Sequence, residues 1–321
     1  ENPVDLHLDG ERVLMIIDMK LTSKNEFQKG NLISKWVERH DGREGNTLLI
    51  NGQENTEIPM RAGQTERWRI INLSRARCFR HYFDGIPFKI ISTDGGLIER
   101  PIEATEFLLV PGERIDILVG PFAEGETFLI DSLPYNRMTF LKAKRQTFGR
   151  VVVGKAAQSV FQSPQTMRVI APLASPYATP TRSVNFSVGA SFKHGIDFLV
   201  NGKTHASDTP VRVGELQIWE VSNTSLMDHP FHLHGFFFQV LQVNGKEPEF
   251  ISWKDTVNLP PRSKVKIAWI PANRTGSWMY HCHILEHHEA GMMGHFDVVD
   301  AKDSPSAHDH KAHHHHHHHH Q

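Results

Sequence analysis

His229, His232 and His234 fall within one heptapeptide, His-Pro-Phe-His-Leu-His-Gly, and His281, Cys282, His283, His287 and Met292 form a second cluster further along the chain. All but one of these groups are imidazole or thiolate, the borderline-soft donors that suit copper or zinc, and the thioether adds copper character. If His281-Cys282-His283 lies on a strand, alternation sends the thiolate to one face and both imidazoles to the other, so one tripeptide can serve two metal sites. His232 and His234 share a face by the same rule, while His229 is free to turn the other way.

Cys282 therefore has natural partners. His287, Met292 and a distant His229 complete the His2Cys trigonal set with a weak axial Met that marks a blue-copper electron-transfer centre. Met293 competes for the axial place. The remaining imidazoles, His232, His234, His281 and His283, point to a second place and amount to half of a polynuclear site. A structural zinc site would need one tetrahedral shell and would leave these four unused. Scattered histidines (His7, His40, His81, His194, His205, His308, His310) read as surface or satisfied core residues. Met15, Met19, Met60 and the run Phe236-Phe237-Phe238 read as packing. Cys78 reads as a buried free thiol, since its only possible disulfide partner is Cys282.

The elements that must position these groups are strands. Runs rich in Val, Ile, Phe and Trp recur between Gly, Pro and Asn-Gly signals: residues 13–19, 47–50, 67–72, 88–92, 107–110, 115–119, 184–188, 217–221, 236–243 and 265–270. No long stretch keeps a helical period, so the expected class is all-β, with Greek-key sandwiches or barrels. The chain also repeats itself. Leu48-Leu49-Ile50-Asn51-Gly52 returns as Phe198-Leu199-Val200-Asn201-Gly202, Trp68 followed by Asn72 returns as Trp219 followed by Asn223, and Pro111 before Ile115 returns as Pro261 before Val265. Two tandem β-domains follow, 1–155 and 182–300, joined by a Pro-containing linker at 156–181 and trailed by a polar tail, 301–321, whose run His313–His320 reads as a purification tag. In this alignment His229 to Gly235 falls on Phe79 to Gly85, and His281-Cys282-His283 on Asp131-Ser132-Leu133. One copy is loaded, and the other keeps the turns without the donors.

Thirty-five Lys and Arg against 36 Asp and Glu leave a net charge of −1, which gives no electrostatic footprint for nucleic acid or an anionic membrane. No apolar run approaches the ~18 residues of a spanning helix.

The pair His229-Pro-Phe-His-Leu-His-Gly235 and His281-Cys-His-Ile-Leu-Glu-His287 with Met292 resembles the C-terminal copper motifs of multicopper oxidases, especially bacterial laccases and cuprous oxidases. The resemblance implies cupredoxin folds, with residues 1–155 similar to the family's copper-free middle domain and 182–300 to its last. It implies that His229, Cys282, His287 and Met292 hold a type 1 copper, His232 a type 2 copper, and His234, His281 and His283 a type 3 pair. It further implies one-electron oxidation of a small phenolic, aromatic or metal-ion reductant at the type 1 site, entering by the His287 edge, coupled through Cys282, His281 and His283 to reduction of O2 to water. A periplasmic or extracellular location follows from the same resemblance. The family completes its trinuclear cluster with two more His-x-His pairs, and none occurs in the first 228 residues here. Since the chain opens on Glu1, the expectation is that a first cupredoxin domain was removed or lies in another chain. His288 stands where many bacterial laccases carry a Glu, leaving His288 or Glu289 for proton delivery. Two other readings compete: a one-copper electron-transfer or copper-binding module that never reduces oxygen, and a copper nitrite reductase, which would place its type 1 ligands in the first domain.

Overall fold

A computed structural model of the chain describes residues 6–140 and 142–300; the tail expected at 301–321, with its His run, His308 and His310, lies outside them. The first half contains β1 (Gly10–Met19), helix α1 (Leu32–Asp41), β2 (Thr47–Ile50), β3 (Thr56–Ala62), β4 (Glu66–Asn72), β5 (Phe79–Tyr82), β6 (Phe88–Thr93), β7 (Gly96–Ala104), β8 (Glu106–Leu109), β9 (Arg114–Val119), β10 (Thr127–Leu133) and β11 (Gln146–Ala156). The second contains β12 (Arg182–Ser191), β13 (Gly195–Val200), β14 (Ala206–Ser207), β15 (Val211–Arg212), β16 (Gln217–Asn223), β17 (His229–Leu233), β18 (Phe238–Val243), β19 (Thr256–Leu259), β20 (Ser263–Trp269), β21 (Gly276–Cys282), helix α2 (Leu285–Glu289) and β22 (Met293–Val299).

Each half folds as two packed sheets with matching strand orders. β2-β1-β4-β9-β6-β7 faces β3-β11-β10-β5-β8, and β13-β12-β16-β20-β18 faces β14-β22-β21-β17-β19. The alternation seen in sequence becomes burial: β4 reads buried, half-buried, buried along its length, with Trp68 at its centre, and Trp219 occupies the same place on β16. Asn51-Gly52, Asn201-Gly202 and Asn244-Gly245 all take positive φ at both residues, the conformation a tight hairpin turn requires and Asn-Gly tolerates. The duplication extends to buried polar devices. The Asn72 side-chain amide donates to the Arg77 and Leu109 carbonyls, each 2.9 Å, and the Asn223 amide donates to Met227 and Leu259, each 2.8 Å.

Three expectations need correction. Helix α1 is absent from the strand-only reading because ten residues are too few to establish a period, although Asn31 caps it by accepting from the Ser34 amide at 2.8 Å. Phe237 and Met15 are exposed, whereas Phe236, Phe238 and Met60 are core, because strand alternation turns Met15 outward and Phe237 immediately precedes β18. His81 is core but not satisfied. It lies fully buried against Phe107 and Phe148, ring centroids 4.8 and 5.6 Å away, with neither nitrogen hydrogen-bonded.

Burial holds the His81 imidazole at about 3, against an ordinary value of 6.5, so it stays neutral in the fold while the unfolded chain takes up a proton below pH 6.5. The stability tied to this group is complete above pH 6.5 and is lost as pH falls towards 3. The equivalent position in the second half is Phe231. His81→Phe is expected to stabilise the protein by about 1–2 kcal/mol at pH 7, with the advantage growing by about 1.4 kcal/mol per pH unit below 6.5. Urea midpoints at pH 7 and pH 5 test this; a pH-independent difference between the two proteins would refute it.

Candidate metal centre

The antiparallel register of β17 and β21 sets Phe231 opposite Cys282 and His232 opposite His281. That pairing, with the two-residue period of a strand, divides the donors. On one side the Cys282 sulfur lies 3.6 Å from the Nδ1 atoms of both His229 and His287, which are 3.2 Å from each other. All three residues are fully buried. Met292, also fully buried, is tied between them: its amide donates to the His287 carbonyl (3.0 Å) and its carbonyl accepts from the Cys282 amide (3.1 Å). Met293, the axial competitor, turns away, its sulfur 3.0 Å from His205 Nδ1.

The hydrogen bonds fix which ring nitrogens are bare. His287 Nε2 lies 2.9 Å from the His40 carbonyl, which can only accept, so Nε2 carries the proton and Nδ1 has a lone pair. His229 Nε2 faces Ser225 Oγ at 3.0 Å, and that hydroxyl spends its own proton on Asn223 Oδ1 at 2.8 Å, so the same tautomer results. Burial holds His229 at about 3 and His287 well below its ordinary value, and pushes the Cys282 thiol up. Two bare nitrogens therefore face each other at hydrogen-bond distance with no basic proton between them. A cation among these three donors relieves the repulsion and replaces the thiol proton, and the donor set is that of a His2Cys copper site.

On the other side His232, His234 and His281 bring their nitrogens within 4.8 Å of one another, with His234 Nε2 2.8 Å from His281 Nε2. His232 Nδ1 is turned to the Asp255 carbonyl (2.9 Å) and His281 Nδ1 to the Cys282 carbonyl (2.8 Å), leaving their Nε2 atoms facing the group. His283 stands at the rim, its ring 5.5 Å from that of His232 and 5.8 Å from that of His281. Burial holds His281 at about 3 and His283 at about 4, so both imidazoles are neutral near pH 7. Of the groups weighed for proton delivery, His288 stacks on His281 at 4.2 Å. Glu289 instead lines a cleft of about 340 Å3 shared with Lys35, Arg39 and Arg43.

The sequence reading missed how much the first half contributes. The His40 carbonyl closes α1 over His287, so the imidazole edge expected to pass electrons is fully buried and lies beneath this helix. Arg137, fully buried, anchors that end of the helix by donating to the Asp41 carbonyl at 2.8 Å. Gly112, at φ +86°, admits the His283 ring; a Cβ there would lie 2.5 Å from its Nε2. The equivalent residue in the repeat is Arg262, also at positive φ. Arg114 grips both Asp255 oxygens at 2.7 Å, behind His232. Although burial opposes it, the bonds from His232 and Arg114 hold the Asp255 carboxyl well below its ordinary range.

Models of multicopper oxidase domains match residues 17–145 and 177–302. The chain belongs to the multicopper oxidase family. It is 29% identical over 274 residues to the multicopper oxidase mco of Staphylococcus aureus, covering 81% of this chain and 54% of that protein. It is 27% identical to a laccase of Bacillus subtilis, covering 80% of this chain and 55% of that one. A multicopper oxidase structure from Campylobacter jejuni, described as a metallo-oxidase, superposes with a TM-score of 0.78 and 30% identity over 90% of this chain and 64% of that chain. The fold is therefore cupredoxin, and copper is the metal of this multicopper oxidase chain, which spans about half the length of the curated relatives it matches.

Removing the Arg114 grip leaves Asp255 and the buried Asp94 short of their shared cation. Arg114→Met is expected to cost about 2–3 kcal/mol, read as a shift of the denaturation midpoint, and to weaken metal retention by the His232 group while sparing the Cys282 group. Equal loss of metal from both groups would contradict this division.

Proposed function

We propose that this chain is the copper-bearing portion of a laccase-like multicopper oxidase. His229, Cys282, His287 and Met292 would hold a type 1 copper, His232 a type 2 copper, and His234, His281 and His283 their share of a type 3 pair. The supporting observation is the segment 281–283: its thiol belongs to the buried triangle on one side of β21, and its flanking imidazoles belong to the group on the other. Copper, when bound, supplies the one-electron couple that draws electrons singly from a phenol, an aromatic amine or a low-valent metal ion and, in a complete trinuclear centre, delivers four to O2 to give water.

The chain's own residues supply the rest. Ser225 and the His40 carbonyl orient the two imidazoles of the triangle, and Asp255 orients His232, the outer partners that fix tautomer and raise ligand basicity. The peptide units joining Cys282 to His281 and His283 give a covalent route between the two groups, and the hydrogen bond from His281 Nδ1 to the Cys282 carbonyl adds a second. Full burial keeps water from the sulfur. The ligands that complete the oxygen-reducing centre would come from a further domain or chain, for which the span of the match leaves room. A one-copper electron-transfer module is the second reading, favoured by the lack of any His-x-His pair before residue 229.

Copper-loaded protein is expected to show an intense visible thiolate-to-copper band that Cys282→Ser loses entirely; persistence of the band in the variant would falsify the assignment. Oxygen uptake with a phenolic reductant, measured on this chain and on protein supplied with the completing domain, separates the two readings: uptake only in the second sample supports the oxidase, and none in either supports the carrier. Met292→Leu is expected to keep the band and raise the reduction potential, whereas Met293→Leu leaves the potential unchanged in a redox titration. The reverse pattern would make Met293 the axial group.

A further inference from the structure

β21 and β22 line up a second row of soft side chains beside the imidazole group. Met279 stands opposite His295, and His281 opposite Met293, so all four project from one side of the sheet. β14 adds a fifth. It runs parallel to β22 with Ala206 beside Gly294 and Ser207 beside His295, and the His205 amide donates to the Gly291 carbonyl at 2.9 Å. His205 is held in the left-handed region, φ 53°, a conformation that non-glycine residues adopt at a cost. The result is a close approach of two metal-binding atoms, His205 Nδ1 and Met293 Sδ, 3.0 Å apart. Gly291 makes room for it; a Cβ there would lie 3.1 Å from the His205 ring. His295 follows Met293 by one alternation on the same side of β22 and lies beside Ser207, two residues on from His205, and Asp297 continues the row one alternation further out.

We infer that His205, Met293 and His295, with Met279 beside them, form a separate site for one cuprous ion. Thioether and imidazole donors without thiolate favour a soft monovalent ion and discriminate against the hard cations magnesium and calcium. The row ends at His281, so an ion held here sits next to the imidazole group but shares no donor with the Cys282 triangle. The inference does not rest on the oxidase reading, since it needs neither the type 1 site nor oxygen chemistry.

The test uses full-length Cys282→Ser protein, in which the triangle has lost its thiol, carrying isotope-labelled methionine methyls and titrated with Ag(I) as a closed-shell stand-in for Cu(I). The methyl resonances of Met293 and Met279 are expected to shift and saturate while those of Met60 and Met167, buried in the first half, stay in place. His205→Ala is expected to weaken the response by more than the roughly tenfold cost of losing an outer-shell partner. Mg(II) at the same concentration, a hard cation that prefers oxygen donors, should leave the methyls unmoved. A stationary Met293 resonance, an undiminished response in His205→Ala, or an equal response to Mg(II) overturns the inference. A second arm needs no cysteine variant: against a competing cuprous chelator, otherwise unaltered protein is expected to retain one more Cu(I) per chain than His205→Ala/Met293→Leu, and equal retention overturns the site.

Discussion

The pairing of Phe231 with Cys282 and of His232 with His281 is the constraint on which the donor arrangement depends. A strand has a side-chain period of two, so slipping this register by one residue would send the sulfur among the imidazoles and the imidazoles into the hydrophobic core. The register is held from both ends. Asn223 binds the turn that leads into β17, and the Cys282 and Met292 backbones bind each other across the return from α2. A geometric rule that costs nothing beyond ordinary sheet pairing thus separates a dry thiol site from a cluster of imidazoles lying one peptide unit away.

The first half of the chain holds none of the donors in these groups, yet it shapes both. It covers His287 with a carbonyl from α1, provides the glycine against which His283 rests, and reaches Asp255 behind His232 through Arg114. Its own copy of the β17 strand carries His81 where the loaded copy carries Phe231, and that imidazole is locked among aromatic rings with nothing to bind. A histidine is therefore not evidence of a ligand by type alone. What distinguishes His229, His232 and His287 is that a specific acceptor takes the proton from one ring nitrogen and leaves the other facing fellow donors.

Much of this was legible in the sequence, for identifiable reasons. The strands of the loaded copy could be read because Val, Ile, Phe and Trp alternate, and the repeat aligned Trp68 with Trp219 and Asn72 with Asn223, pairs that occupy equivalent places with equivalent bonds. The donor groups could be read because strand alternation is rigid and the donors crowd into two short segments, 229–234 and 281–292. Contributions made through the backbone could not: the His40 carbonyl has no residue-type signature, and α1 is too short for periodicity to declare it. Arg114 and Asp255, 141 positions apart, meet only after both sandwiches have formed. His205 was set aside as an isolated residue because its partner, Met293, becomes a neighbour only through the short parallel pairing of β14 with β22.

Helix α1 springs from one sandwich and rests its last turn on a residue of the other, while Gly112 and Arg114, at the start of β9, do the same a short way off. Any hinge opening that uncovered His287 to solvent would also slacken the supports of His283 and His232. The thiol triangle is dry and the imidazole group only partly so, yet both lean on the same seam, and whatever stiffens that seam steadies both centres at once.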